Sequence, residues 1–226
     1  MTIATCIFDA YGTLFDVSAA ARRAAAEPGY EALAGTWQDL AATWRRKQLE
    51  YSWLRAVTGD HRDFWQVTQD GLDWALEQAD LTDPALRDRL LALYRELDAF
   101  PEVPKMLGRL KAAGKTTAIL SNGTPDMLAA AVSSAGIGDL LDDTLSVESV
   151  GVFKPDRRVY DLVGARFGCV PADVLFVSSN GWDVASAAHY GFATVWVNRA
   201  GEPTDRLSAR PGTILKDLTE IPELAA

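Results

Sequence analysis

The stretch Phe8-Asp9-Ala10-Tyr11-Gly12-Thr13-Leu14-Phe15-Asp16 decides the fold. It follows an apolar run that begins at Ile3, so a carboxylate stands where a buried strand stops and a glycine turn begins. In an open α/β sheet such a residue points into the crevice beyond the strand ends, where these folds bind their ligands. Three more polar clusters follow later apolar runs: Ser121-Asn122-Gly123, Lys154-Pro155, and Ser178-Ser179-Asn180-Gly181-Trp182-Asp183. Chemistry collected at successive strand ends predicts a doubly wound, mostly parallel α/β core of the Rossmann-like kind.

Working outward, strands are expected at Ile3 to Phe8, Thr116 to Leu120, Thr144 to Val147, Val174 to Val177, Thr194 to Val197 and Thr213 to Leu215, with helices between them. Thr124-Pro125 and Lys154-Pro155 place a proline in a first helical turn, and Gly114, Gly136 and Gly168 suit helix ends. Residues 17 to 99 break the alternation and read as consecutive helices. The alanine-rich Ala19 to Ala26 is one of them. Trp37, Leu40, Ala41 and Trp44 fall at i, i+3, i+4 and i+7 and give another an apolar stripe. Asp83-Pro84 opens a third, with Leu86, Leu90, Leu93, Tyr94 and Leu97 on its inner face. The expected division is therefore a core from residues 1–16 and 100–226 and a helical cap from 17–99, with Pro101 and Pro104 in the return linker.

The chain of 226 residues is long for one minimal domain and short for two, which suits a core with an insertion. Hydrophobic residues at 48% and charged residues at 23% give it a globular composition. A formal charge of −9 argues against nucleic acid or an anionic membrane as partner, and requires a local cationic pocket for any anionic substrate. No apolar run reaches membrane-spanning length and no signal segment is visible, so a cytoplasmic protein is expected. Cys6 and Cys169 form neither a disulfide framework nor a zinc motif.

Asp9 is the candidate nucleophile. An aspartate with an ordinary pKa of roughly 3.9 is ionised at neutral pH and needs no base to activate it. Taken alone, it reads equally well as a turn or helix-cap residue, and Gly12 and Thr13 admit the same reading. Ser121 and Asn122 could cap the following helix, although Thr124 is better placed for that. Lys154 could be a solvated charge. Arg45, with Leu49 and Trp53 on the same side of its helix, could be a surface arginine laying its stem along apolar area.

Together the four clusters resemble the motifs of the haloacid dehalogenase superfamily, and most closely its L-2-haloacid dehalogenases. Trp44-Arg45, Lys47-Gln48-Leu49-Glu50-Tyr51 and Trp53-Leu54-Arg55 resemble the cap of that family. Phosphatases and phosphomutases of the superfamily carry a second aspartate two residues after the nucleophile, where this chain has Tyr11. They also carry an acidic magnesium ligand early in the fourth motif, where this chain has Ser178-Ser179-Asn180. Magnesium needs hard oxygen ligands, usually with a carboxylate, so these replacements oppose a metal and phosphoryl transfer.

The resemblance implies hydrolytic dehalogenation of a short L-2-haloalkanoic acid to a D-2-hydroxy acid, with inversion, through an aspartyl ester and without metal or organic cofactor. Asp9 would attack, Lys154 would pair with it, and Asp183 with Asn180 would activate water, Thr13 and Ser178 completing the catalytic set. Arg45 and Asn122 would bind the departing halide ion and Ser121 the substrate carboxylate. Ala10, Tyr11, Leu49, Phe64, Tyr160 and Trp182 would contact the substrate. Arg46 stands where relatives often have a pocket-lining glutamine. Homodimers are common among such relatives. The rival readings are a phosphatase or phosphomutase on the same scaffold and a binding module without activity.

Overall fold

The computed structural model describes residues 3–226. Its strands are β1 (Thr5–Phe8), β2 (Thr116–Ser121), β3 (Asp143–Ser146), β4 (Val174–Ser178), β5 (Ala193–Val197) and β6 (Thr213–Leu215). Its α-helices are α1 (Ala19–Ala24), α2 (Trp37–Thr58), α3 (Phe64–Gln78), α4 (Pro84–Arg95), α5 (Val103–Ala112), α6 (Pro125–Ser134), α7 (Arg157–Phe167), α8 (Gly181–Tyr190) and α9 (Ile221–Leu224). The strands form one sheet in the order β3-β2-β1-β4-β5-β6, and every pairing is parallel.

β1 and β4 are buried at every position, which is why they read as unbroken apolar runs. Strand order reverses between β1 and β4, and this reversal opens a crevice at their carboxyl ends. Asp9 stands there, its backbone N–H bonded to the carbonyl of Val177 at 2.9 Å. Cys6, also in β1, is fully buried.

Helices α1 to α4 and a short 3₁₀ turn lie between Asp16 and Asp98. Leu40 and Trp44 of α2 are buried, as are Leu86, Leu90, Leu93 and Tyr94 of α4 and Leu97 just beyond it. Asp63 caps α3 by accepting from the Gln66 N–H, and Asp83 caps α4 by accepting from Ala85 with Pro84 in the first turn. The two crossings between core and helices run side by side. The Asp16 N–H bonds to the carbonyl of Asp98 and the Phe100 N–H to that of Leu14, both at 2.9 Å.

Several boundaries differ from expectation. β1 starts at Thr5, α1 stops at Ala24, and Val147 opens a 3₁₀ turn after β3. Pro104 lies inside the first turn of α5, where its missing N–H costs nothing, and only Pro101 remains in the return linker. Pro155 precedes its helix: α7 begins at Arg157, and Asp156 caps it by accepting from the Arg158 N–H.

Candidate active site

Three strand ends, one loop and one helix deliver the polar groups. Asp9 follows β1, Ser121 ends β2, Ser178 ends β4 with Asn180 just beyond, and Asp183 sits in the first turn of α8. Lys154 comes from the loop ahead of α7 and is 1% exposed.

The two oxygens of Asp9 have different surroundings. Oδ2 accepts from the Thr13 hydroxyl at 3.0 Å, from Asn180 Nδ2 at 2.9 Å and from the Ser178 hydroxyl at 3.4 Å. Among the described residues, Oδ1 accepts only from Lys154 Nζ, at 3.2 Å. Lys154 also reaches Asp183 Oδ2 at 2.8 Å, while the Tyr160 hydroxyl donates to Asp183 Oδ1 at 2.8 Å. One ammonium thus serves two buried carboxylates.

Charge follows from that count. Burial alone would depress the Lys154 pKa, but Asp183 and then Asp9 outweigh it, and the pKa is raised. The Asp183 carboxyl is also raised: burial is the largest cause, and the charge of Asp9 adds to it against the pull of Lys154. The Tyr11 and Tyr160 phenols are pushed well above their ordinary value by burial and stay neutral.

A small cavity faces Asp9. Its core side consists of Asp9, Tyr11, Ser121, Asn122, Lys154, Asn180 and Trp182, and its roof of Arg45, Leu49 and Phe64 from α2 and α3. Arg45 donates to Gln48 Oε1 at 2.7 Å, to the carbonyl of Tyr11 at 3.1 Å and to Asn180 Oδ1 at 3.4 Å. Its guanidinium therefore orients Asn180 with the amide nitrogen toward Asp9. Asn122 is oriented similarly: Oδ1 accepts from the Lys154 N–H at 3.0 Å, which leaves Nδ2 as the donor for the cavity. The Ser121 hydroxyl accepts from the Gly123 N–H at 3.1 Å and keeps its own proton to give.

Tyr11 stacks on Tyr94 with ring centroids 5.7 Å apart and lies 5.9 Å from Phe64, so it is a wall of the cavity. Gly123 makes this possible, because a Cβ there would stand 2.8 Å from the Tyr11 ring. With Tyr11 and Ser179 where metal-dependent relatives need acids, the donor set does not fit magnesium. Among the described residues no group of three or more His, Cys, Asp or Glu is placed to hold a metal.

Some expected contacts fall elsewhere. Ala10 and Tyr160 do not line the cavity. The Ala10 carbonyl accepts from Thr13, Leu14 and Phe15 to close the turn, and Tyr160 lies behind Asp183 among Phe176, Tyr190 and Phe192. Thr13, Ser178 and Asp183 lie behind the lining residues. Arg46 is exposed, pairs with Glu50 and covers the Trp74 ring, so it does not shape the cavity. The polar neighbour of Arg45 is instead Gln48, held by Thr68 at 2.7 Å and Tyr94 at 3.1 Å. Its position three residues after Arg45 on one helix was the available signal.

A haloacid dehalogenase-like hydrolase family model matches residues 3–191. (S)-2-haloacid dehalogenase 1 of Pseudomonas sp. (strain CBS-3) is 44% identical over 223 residues, 98% of this chain and 96% of that protein. A crystal structure of a dehalogenase with an intermediate complex superposes with a TM-score of 0.94 at 41% identity, covering 100% of this chain and 98% of that one. The L-2-haloacid dehalogenase of Xanthobacter autotrophicus, with chloropropionic acid covalently bound, gives 0.88 at 36% identity, covering 99% and 98%. Sequence, fold and the clustering of polar groups around Asp9 agree: the chain belongs to the haloacid dehalogenase-like hydrolases and, within them, to the (S)-2-haloacid dehalogenase family.

Proposed function

We propose that the protein hydrolyses short L-2-haloalkanoic acids to D-2-hydroxy acids with inversion, through an ester on Asp9. The observation that carries this reading is the unequal treatment of the two Asp9 oxygens. Oδ2 is occupied by Thr13, Asn180 and Ser178, whereas Oδ1 has the single Lys154 contact, so Oδ1 attacks C2 of the substrate. Arg45 and Asn122 Nδ2 stabilise the leaving halide, and Ser121 binds the substrate carboxylate. Holding Oδ1 in line with C2 contributes about 7–11 kcal/mol when the bound geometry is a near-attack one.

In the ester, Oδ2 becomes the carbonyl oxygen. The donors already aimed at it then stabilise the oxyanion that forms when water attacks the Asp9 carbonyl carbon. Asp183, one lysine away, accepts the proton of that water. Residues 17–99 act as a cap on a core made by 1–16 and 100–226, and the work is done without metal or organic cofactor. Neither Tyr11 nor Ser179 supports the phosphatase alternative. We further propose a cytoplasmic homodimer, for which the exposed apolar residues Leu54 and Val57 of α2 supply surface; light scattering decides the oligomeric state.

One experiment tests the chemistry. In heavy-oxygen water, with enzyme in excess over L-2-chloropropanoate and a chelator present, the first D-lactate formed carries ordinary oxygen and the label enters the peptide containing Asp9. Asp9→Asn releases no halide. Solvent label in the first-turnover product makes water the nucleophile and removes the role given to Asp9. Activity that disappears with chelator and returns with magnesium overturns the metal-free reading.

A further inference from the structure

Helices and core close on the cavity so tightly that about 10 Å³ remains for the centre of a water-sized molecule. That is room for about one water and for no haloacid, so the closed arrangement opens in each turnover. Away from the two crossings, the polar contacts across this seam fall into two groups. One belongs to the cavity: Arg45 on the Tyr11 carbonyl and on Asn180. The other lies at the rim and centres on Glu148, which no step of the proposed reaction uses.

Glu148 sits in the 3₁₀ turn after β3, on the core. Its Oε2 is 2.9 Å from Nε2 of His61, which lies between α2 and α3, and its Oε1 accepts from the Phe64 N–H at 3.3 Å. An ionised carboxylate only accepts, so the imidazole Nε2–H is the donor. The His61 ring also lies 4.9 Å from Phe153, and Phe64 lies 5.9 Å from the same ring. Phe153 directly precedes Lys154, and Phe64 is part of the cavity roof.

On the core side the Ser146 hydroxyl accepts from the Glu148 N–H at 3.2 Å and donates to the Gly123 carbonyl at 2.7 Å, next to Ser121 and Asn122. Glu148 therefore reaches the roof through its carboxylate and the substrate loop through its backbone N–H and Ser146, while the His61 ring it holds carries the contact to the lysine loop. Glu148 also lines a surface groove of about 650 Å³, together with Pro125, Ser146 and Leu162. It thus touches the groove directly and the cavity roof through Phe64. The side chains of His61 and Glu148 are 26% and 22% exposed, sheltered enough to pair and close enough to water to part.

We propose that Glu148 and His61 form a clasp at the mouth of the reaction cavity. Closed, it seats Phe64 against Phe153 beside Lys154; open, it admits the haloacid and releases the hydroxy acid along the groove outside Glu148. Both act through Phe64, so they are positioning residues. The inference rests on the reading of this cavity as the site of dehalogenation.

The test compares wild type with His61→Phe, which keeps a ring on Phe153, and Glu148→Ala. Halide release from L-2-chloropropanoate is measured in the steady state and in single turnovers at saturating substrate. KM is expected to rise about threefold or more while the single-turnover rate changes less than about twofold. Hydrogen exchange in the peptide containing Phe64 accelerates about fivefold in both variants, and that in β1 does not change. An unchanged KM, or a single-turnover rate that falls as much as kcat/KM, overturns the clasp. If the wild type releases no halide, the functional reading fails, and exchange at Phe64 decides the clasp alone: wild-type exchange in both variants overturns it.

Discussion

Lys154 is the residue on which the electrostatics of the site turn, because it is 1% exposed and faces Asp9 and Asp183 with one charge. Removing one partner from a buried ion pair costs about 3–5 kcal/mol, since the other charge stays buried and uncompensated. Lys154→Met should therefore lose about that much stability in urea melts, and with it halide release. The sign of the pH dependence follows from the directions of the two shifts. In the proposed reaction Asp183 must be ionised to take the proton from water, and burial raises its carboxyl above the ordinary 3.8. Activity should fall on the acid side at a higher pH than an unperturbed aspartate would give. The Lys154 ammonium is raised above 10.5, so no loss of activity at mildly alkaline pH should come from it. A kcat–pH profile whose acid limb sits at the value of a free aspartate would remove Asp183 from the role of base.

At the scale of elements, Arg199, just beyond β5, braces the return crossing against the turn after β1. Its guanidinium lies 3.7 Å from the centre of the Phe100 ring, pairs with Glu102 at 2.7 Å and donates to the Thr13 carbonyl at 3.3 Å. It touches one crossing near each end and also the turn whose hydroxyl holds Asp9. Its Nε is buried without a hydrogen-bond partner among the described residues, a cost the other contacts offset. Arg199→Met keeps the stem over Phe100 but drops both donors. The expected result is a stability loss of about 1.5–3 kcal/mol and a fall in kcat of about tenfold through Thr13, partly restored in Arg199→Lys. Denaturant melts and kcat measured on the same preparations check it.

This contact marks where legibility in the sequence ends. β1, β2 and β4 were readable because strands buried on both faces are continuous apolar runs, and the polar clusters were readable because they sit where those runs stop. Helix phase put Arg45 on the side of Leu49 and Trp53, and the family resemblance of the surrounding stretch assigned it to the cavity. Arg46, at a position where relatives often have a pocket-lining glutamine, lies outside the cavity because one residue around a helix turns a side chain by about 100°, which carries it to Glu50 and Trp74. Tyr160 was assigned to the substrate, whereas packing behind Asp183 fixes it there. Arg199 and Glu148 gave no signal at all, because their partners Thr13 and His61 lie 186 and 87 residues away in the chain. Such pairs come from tertiary packing, and no local pattern encodes them.

At the scale of the whole molecule, a chain with a formal charge of −9 surrounds a cavity lined by Arg45 and by Lys154, the latter shared between Asp9 and Asp183. The buried thiol of β1 acquires a meaning in this setting. The carbon that Asp9 is proposed to attack is an alkylating centre, and haloacids carboxyalkylate thiolates wherever they meet them. Cys6 lies three residues before Asp9. Burial pushes its thiol up to about 12, against a smaller pull from Lys115. At neutral pH about one Cys6 in 10⁵ is then thiolate, and it is shielded as well. Iodoacetate should leave Cys6 unmodified through many turnovers and carboxymethylate it only after unfolding, as peptide mass mapping will show. Modification in the folded protein at the rate of a free thiol would mean that burial gives no protection. With Cys6 so guarded, the strand that delivers the nucleophile also keeps the competing one silent.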